Sequence, residues 1–246
     1  MKIRRKIIRA GNLVKVVEYV PVMPRDTGKK RAAKQKASTE ARKRLNRKTA
    51  REKLEFLLAA NFTAKDYFVT LTYEDGKEPS RRKTVKKHEQ FYIRRLRCVR
   101  RRRKSTARLK WVSSIEHKHG EQRWHIHLVM SSSGSFKQDL EDLKSLWPFG
   151  FVKVSLLFDS EHRENRWDDI ASYLTKERPE NGKDETPVGS QIYSCARGLA
   201  RPVVRTMWIE AGDELKIPAN AFIYDNERCV NEYSQFRYLK YLEPPA

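Results

Sequence analysis

His125 and His127 flank Ile126 in the stretch Trp124-His125-Ile126-His127-Leu128-Val129-Met130. Successive side chains of a strand point to opposite faces. Both imidazoles therefore leave one face, with Val129 beyond them. Trp124, Ile126, Leu128 and Met130 form an apolar opposite face suited to a core. Two imidazoles on one strand face are half of a metal site, and a hard oxygen ligand would suit a cation that must also bind phosphate. Glu116 can supply it. Residues 109–118 alternate as well, and Lys118-His119-Gly120-Glu121-Gln122-Arg123 forms a tight polar connection. A hairpin with Lys118 opposite Arg123 sets Glu116 opposite His125 and Ser114 opposite His127. Directly opposed residues share a face, their Cβ atoms ~5 Å apart. Leu109, Trp111 and Ile115 then join the apolar face. A slip of one residue would substitute His117 for Glu116 and turn Trp111 and Ile115 outward, against the pattern.

A second reactive group lies further along, in Tyr173-Leu174-Thr175-Lys176. Residues 168–176 have a helical pattern, opened by acidic residues that the helix dipole favours. Tyrosine and lysine at i and i+3 share a helical face. A phenol, ordinarily of pKa ~10, becomes a nucleophile when a nearby ammonium and a divalent cation stabilise the phenolate or the phosphate that it attacks. The plainer alternatives are a tyrosine that packs with its hydroxyl at the surface, and a histidine pair on a solvated face.

The elements that must carry these groups follow in chain order. Residues 1–19 are basic and then apolar, an arm ending in a short strand, broken by Pro21 and Pro24. Residues 25–53 are dominated by Lys, Arg and Ala, composition for a flexible arm or a helix that orders on nucleic acid. Leu45, Leu54, Leu57 and Leu58 extend the helical pattern from Ser38 onward. Tyr67 to Tyr73 is rich in β-branched and aromatic residues and predicts a strand. Residues 85–104 predict a helix with a dense cationic end: Arg94, Arg95, Arg97, then Arg100, Arg101, Arg102, Arg103 and Lys104. So many cations repel one another, and a phosphate backbone would relieve that repulsion. After the hairpin come a loop at 131–135, a helix over 136–147 stopped by Pro148, and a strand over 150–157. Residues 178–189 form a charged Pro/Gly loop, 192–195 a further strand, and 222–224 and 233–241 edge strands or a final helix. Strands mixed with helices in this order build an α+β fold, an antiparallel sheet with helices on one face. The domain boundary falls at 60/61: a basic N-terminal arm and helix over 1–60, and the main domain with a C-terminal extension over 61–246.

The chain has 246 residues, with Lys+Arg 53 against Asp+Glu 31 and a formal net charge of +22. That surplus points to a polyanionic partner, most often nucleic acid. Three widely spaced cysteines, Cys98, Cys195 and Cys229, form no disulfide framework and imply a reducing compartment. No long apolar run predicts a membrane span, and the charged N-terminus lacks a signal-peptide core. A cytoplasmic location without membrane contact is expected. No glycine-lysine phosphate loop is present, so no intrinsic ATPase is expected.

A strand Phe68-Val69-Thr70-Leu71-Thr72-Tyr73, then His125-Ile126-His127, then Tyr173-Leu174-Thr175-Lys176 resembles the ordered motif set of the HUH endonucleases. More narrowly, it resembles the single-tyrosine rolling-circle replication initiators of phages and plasmids. The resemblance spans about 67–176, and the Ser194 to Leu199 region is also similar. It implies a five-stranded antiparallel palm, with Glu116, His125 and His127 as ligands for Mg²⁺ or Mn²⁺. Tyr173 would be the nucleophile and Lys176 its orienting or phosphate-steadying partner. The implied substrate is single-stranded DNA, or a hairpin extruded at an origin. A host helicase and polymerase would be partners. With one tyrosine in the helix motif, a two-tyrosine strand-transfer scheme is unavailable. Rival readings are a relaxase or transposase of the same superfamily, and an RRM-like nucleic-acid-binding module that stacks bases on Tyr67 and Tyr73. A ribosome-associated basic protein is the third.

Overall fold

In the computed structural model, the described residues are 2–21, 40–103, 108–117, 123–158, 167–176, 191–210, 213–230 and 235–244. The chain runs β1 (Lys2–Ala10), β2 (Leu13–Tyr19), α1 (Glu40–Ala59), β3 (Tyr67–Tyr73), α2 (Arg82–Arg102), β4 (Trp111–His117), β5 (Trp124–Met130) and α3 (Phe136–Ser145). It continues through β6 (Gly150–Leu156), α4 (Trp167–Leu174), β7 (Ser194–Cys195), β8 (Val203–Glu210), β9 (Phe222–Val230) and β10 (Gln235–Leu242). Two units result: Met1–Ala60 with Ala200–Ala246, and Asn61–Leu199.

The second unit contains an antiparallel five-stranded sheet in the order β6-β3-β5-β4-β7. This is the expected α+β class. Alternation dictates its two faces. Tyr67, Val69, Leu71 and Tyr73 of β3 pack with Trp124, Ile126, Leu128 and Met130 of β5. α2 covers that face with Val85, Tyr92, Ile93 and Leu96, and α3 with Leu143. Each such side chain contributes about 1.5–3 kcal/mol when fully buried. Tyr67 and Tyr73 are therefore core residues, buried under the helices, and cannot present their rings to bases. Tyr92 donates its hydroxyl hydrogen to the Leu143 carbonyl at 2.9 Å, tying the two helices together. The hairpin register is the expected one, Glu116 opposite His125 and Ser114 opposite His127. Its connection, residues 118–122, lies outside the described residues, as do the loop at 178–189, residues 25–39 and Lys104.

β3 sits between β5 and β6, pairing Thr70 with His127 and Thr72 with His125. Gly150 makes the close approach of β6 possible. It has φ +153°, and a Cβ there would overlap the Thr72 carbonyl oxygen and the Glu74 nitrogen. Any other residue would push apart the strands that hold Thr72.

A further five-stranded sheet, β8-β1-β2-β10-β9, belongs to the first unit and lies outside the expectation. Residues 2–19 form two paired strands rather than an arm ending in one. The pattern hides β1 because a charged residue occupies an inward position. Arg5 is buried, donating to Glu18 Oε1 at 2.6 Å and to the Asp213 carbonyl at 2.9 Å. α1 is held to this sheet by polar contacts as well as by its leucines. Lys240 Nζ donates to Glu55 at 2.8 Å, Tyr238 donates to Glu52 at 3.3 Å, and Lys15 pairs with Glu52.

Candidate active site

The sheet face turned away from α2 and α3 carries Phe68, Thr70 and Thr72 on β3, His125 and His127 on β5, and Glu116 on β4. Strand pairing alone aligns them, since each lies in register with its neighbour. Thr70 Oγ1 is 3.2 Å from His127 Nδ1, and Thr72 Oγ1 is 3.2 Å from His125 Nδ1. The two rings stack nearly parallel, 7° apart, with centroids at 6.2 Å. His127 Nε2 lies 2.9 Å from Glu116 Oε2. His127 is only 4% exposed, so this contact is shielded from water.

α4 brings Tyr173 to the same face. The Tyr173 ring meets His127 edge-on at 5.0 Å and Phe68 edge-on at 5.6 Å. It remains 47% exposed, open to a substrate from outside. Burial of part of the ring, and then the Glu116 carboxylate, push its phenol above the ordinary tyrosine value. Positive charge beside Glu116 would oppose the second effect. Lys176 follows the end of α4 and is exposed. Its backbone N–H donates to the Tyr173 carbonyl at 3.4 Å, so it stays one turn from the tyrosine.

The donor chemistry on this face fits a divalent cation. Threonine hydroxyls engage Nδ1 of both rings, so Nε2 is the nitrogen through which each would ligate, and outer partners of that kind fix ring orientation in metal sites. Glu116 adds a carboxylate oxygen. Among the described residues no three His, Cys, Asp or Glu side chains are already gathered as a metal-holding cluster. A cation here would replace the direct Glu116–His127 hydrogen bond.

The arginines divide into two kinds. Arg94, Arg95, Arg97, Arg101 and Arg102 are exposed along α2. Arg100 is 7% exposed and committed internally, donating to the Ser131 carbonyl at 2.6 Å and pairing with Asp139 at 3.4 Å. Arg103 is bound at both ends of its guanidinium by Asp142. None of these joins the histidine face, because α2 packs on the other side of the sheet. Thr70, Thr72 and Phe68 belong to the site although their residue types alone assign them no role. The signal for them is alternation in β3, which puts all three on the face that pairs with the histidines.

The class that this geometry defines is an α+β protein with an imidazole pair, a carboxylate and a phenol on one sheet face. Residues 66–178, just under half of the chain, match a family model described as a replication-associated protein of the ORF2 type. Over that stretch the chain is similar to replication-associated proteins. No curated protein and no solved structure matches it. Among the described residues no helix is long and apolar enough to cross a membrane.

Proposed function

We propose that this protein initiates DNA replication by nicking single-stranded origin DNA through Tyr173. The observation that carries the reading is the edge-on contact of Tyr173 with His127 at 5.0 Å, on the face that also holds His125 and Glu116. The match over 66–178 to replication-associated proteins supports it independently.

The Tyr173 phenol attacks the scissile phosphorus in line. Its oxygen–phosphorus bond forms as the bond to the 3′ oxygen breaks, and the phenolic proton is lost while the 3′ oxygen gains one. The 5′ end stays joined to Tyr173 and a 3′ hydroxyl is released to prime a polymerase. One phosphoester replaces another, so the reverse reaction can rejoin the ends. His125, His127 and Glu116 would hold Mg²⁺ or Mn²⁺, which supplies positive charge at the phosphate oxygens. Thr70 and Thr72 orient the imidazoles. Phe68 braces the Tyr173 ring from the side. Lys176 steadies the phosphate charge. A host helicase would open the duplex.

The test is incubation of single-stranded oligonucleotides with the protein and Mn²⁺. A covalent adduct that is lost in Tyr173→Phe supports the reading. Salt-sensitive binding without an adduct on any substrate would favour a non-catalytic nucleic-acid-binding module.

A further inference from the structure

We propose that the outer face of α2, together with Trp111 of β4, is a second binding site for single-stranded nucleic acid, on the opposite side of the sheet from Tyr173. Such a site is additional to the nicking reaction and does not need it.

Charge is the first support. From Lys83 to Arg102 eight exposed lysines and arginines line α2, and the helix's sole carboxylate, Glu89, is buried. At 1.5 Å per residue its 21 residues extend about 30 Å. Crowded cations of one sign raise each other's energy, and a row of phosphates removes that cost while releasing counterions.

Shape and chemistry are the second. A groove is lined by Lys87, Gln90, Phe91, Arg94, Arg97 and Trp111. The guanidinium groups of Arg94 and Arg95 lie over the Phe91 ring at 5.6 and 5.5 Å. Phe91 is itself exposed, whereas its neighbour Tyr92 is fully buried. The Trp111 indole N–H has no hydrogen-bond partner among the described residues. Cations around accessible aromatic rings are what unstacked bases require, at about 1–3 kcal/mol per stacked base. A duplex offers its phosphates but not its base faces.

Placement is the third. Val85, Tyr92, Ile93 and Leu96 of α2 pack on the apolar side of the sheet, whereas Tyr173 contacts the histidine side. The groove is therefore separated from the tyrosine by the sheet and by a helix about 10–12 Å in diameter. A nucleotide beside Tyr173 cannot also lie in the groove. The strand held by α2 is a second segment, or a part of the same strand that has passed around the sheet.

The experiment is photocrosslinking of the full chain to a short bromodeoxyuridine oligonucleotide, too short to reach both faces, with the linked peptides mapped. Links at Phe91 or Trp111 are expected. In Lys87→Gln/Arg94→Gln/Arg97→Gln, all solvent-exposed sites, these links should fall at least tenfold, and the salt slope of binding should drop by about 2. Crosslinks absent from Phe91 and Trp111, or undiminished in the triple variant, would overturn the proposal. So would better competition for those links by a hairpin duplex or a polyglutamate peptide than by unlabelled single strand. The Tyr173 adduct assay is scored separately: its failure removes the nicking reading and leaves the crosslink map to decide this one.

Discussion

Thr70 and Thr72 each sit 3.2 Å from the Nδ1 atom of a histidine. If they fix the rings for ligation through Nε2, Thr70→Val with Thr72→Val should weaken Mn²⁺ binding about 10–100-fold. The valines keep the shape and the β propensity of the strand, so the melting temperature should move little. Isothermal titration checks the first expectation and thermal denaturation the second; unchanged Mn²⁺ affinity would show that the hydroxyls are idle. The histidines should behave differently. His125→Ala or His127→Ala should abolish strand cleavage yet leave oligonucleotide affinity within a few-fold, because the exposed cations are elsewhere. Joint loss of cleavage and binding would mark the pair as structural.

At the scale of elements, α2 joins two kinds of charged residue in one helix. Arg100→Ala removes one member of a buried ion pair and strands Asp139, at a cost of about 3–5 kcal/mol. Arg101→Ala or Arg102→Ala, on the exposed face, should change stability by no more than about 0.5 kcal/mol. Urea denaturation of the three variants separates these cases. Glu89 makes a second prediction. It is 2% exposed, facing Ser113, and burial lifts its carboxyl above the ordinary value of 4.5. A raised folded pKa means that the folded state holds the proton more tightly than the unfolded state. Stability is then greatest below 4.5 and is lost as pH rises through the folded value. Glu89→Gln should melt higher than the wild type at pH 8, with the gap closing toward pH 4; a gap that widens on acidification would contradict this.

The same elements explain what the sequence could reveal. β3, β4, β5, α2, α3, β6 and α4 were legible because each obeys one period, and the hairpin register followed from a single choice of apolar face. The first-unit sheet was not, because its strands break the rule that makes strands visible. β1 buries Arg5, and β8 exposes Val203, Val204, Met207 and Trp208 at a sheet edge. The division of the arginine run was equally hidden. Arg100 and Arg102 are alike in sequence, and only the positions of Ser131 and Asp139, more than thirty residues away, distinguish them.

For the whole molecule, charge sets the approach to its partner. Residues 1–60 hold 19 of the 53 Lys+Arg and 5 of the 31 Asp+Glu, and the chain as a whole stands at +22. Much of the cationic surplus therefore lies outside the stretch that matches replication-associated proteins. Affinity for unrelated single-stranded DNA should fall about 10³-fold or more between 50 and 200 mM salt if six or more phosphates are engaged. A flat response in fluorescence anisotropy would mean that the surplus is not used on nucleic acid. The chemistry of the whole chain turns on one atom, the phenolic oxygen of Tyr173. Its most direct measurement is mass spectrometry of the peptide that remains attached to DNA after reaction with Mn²⁺ and nuclease trimming. A single 5′-phosphonucleotide on Tyr173 is the predicted result. A nucleotide on any other residue, or cleavage products with no linked peptide, would contradict it.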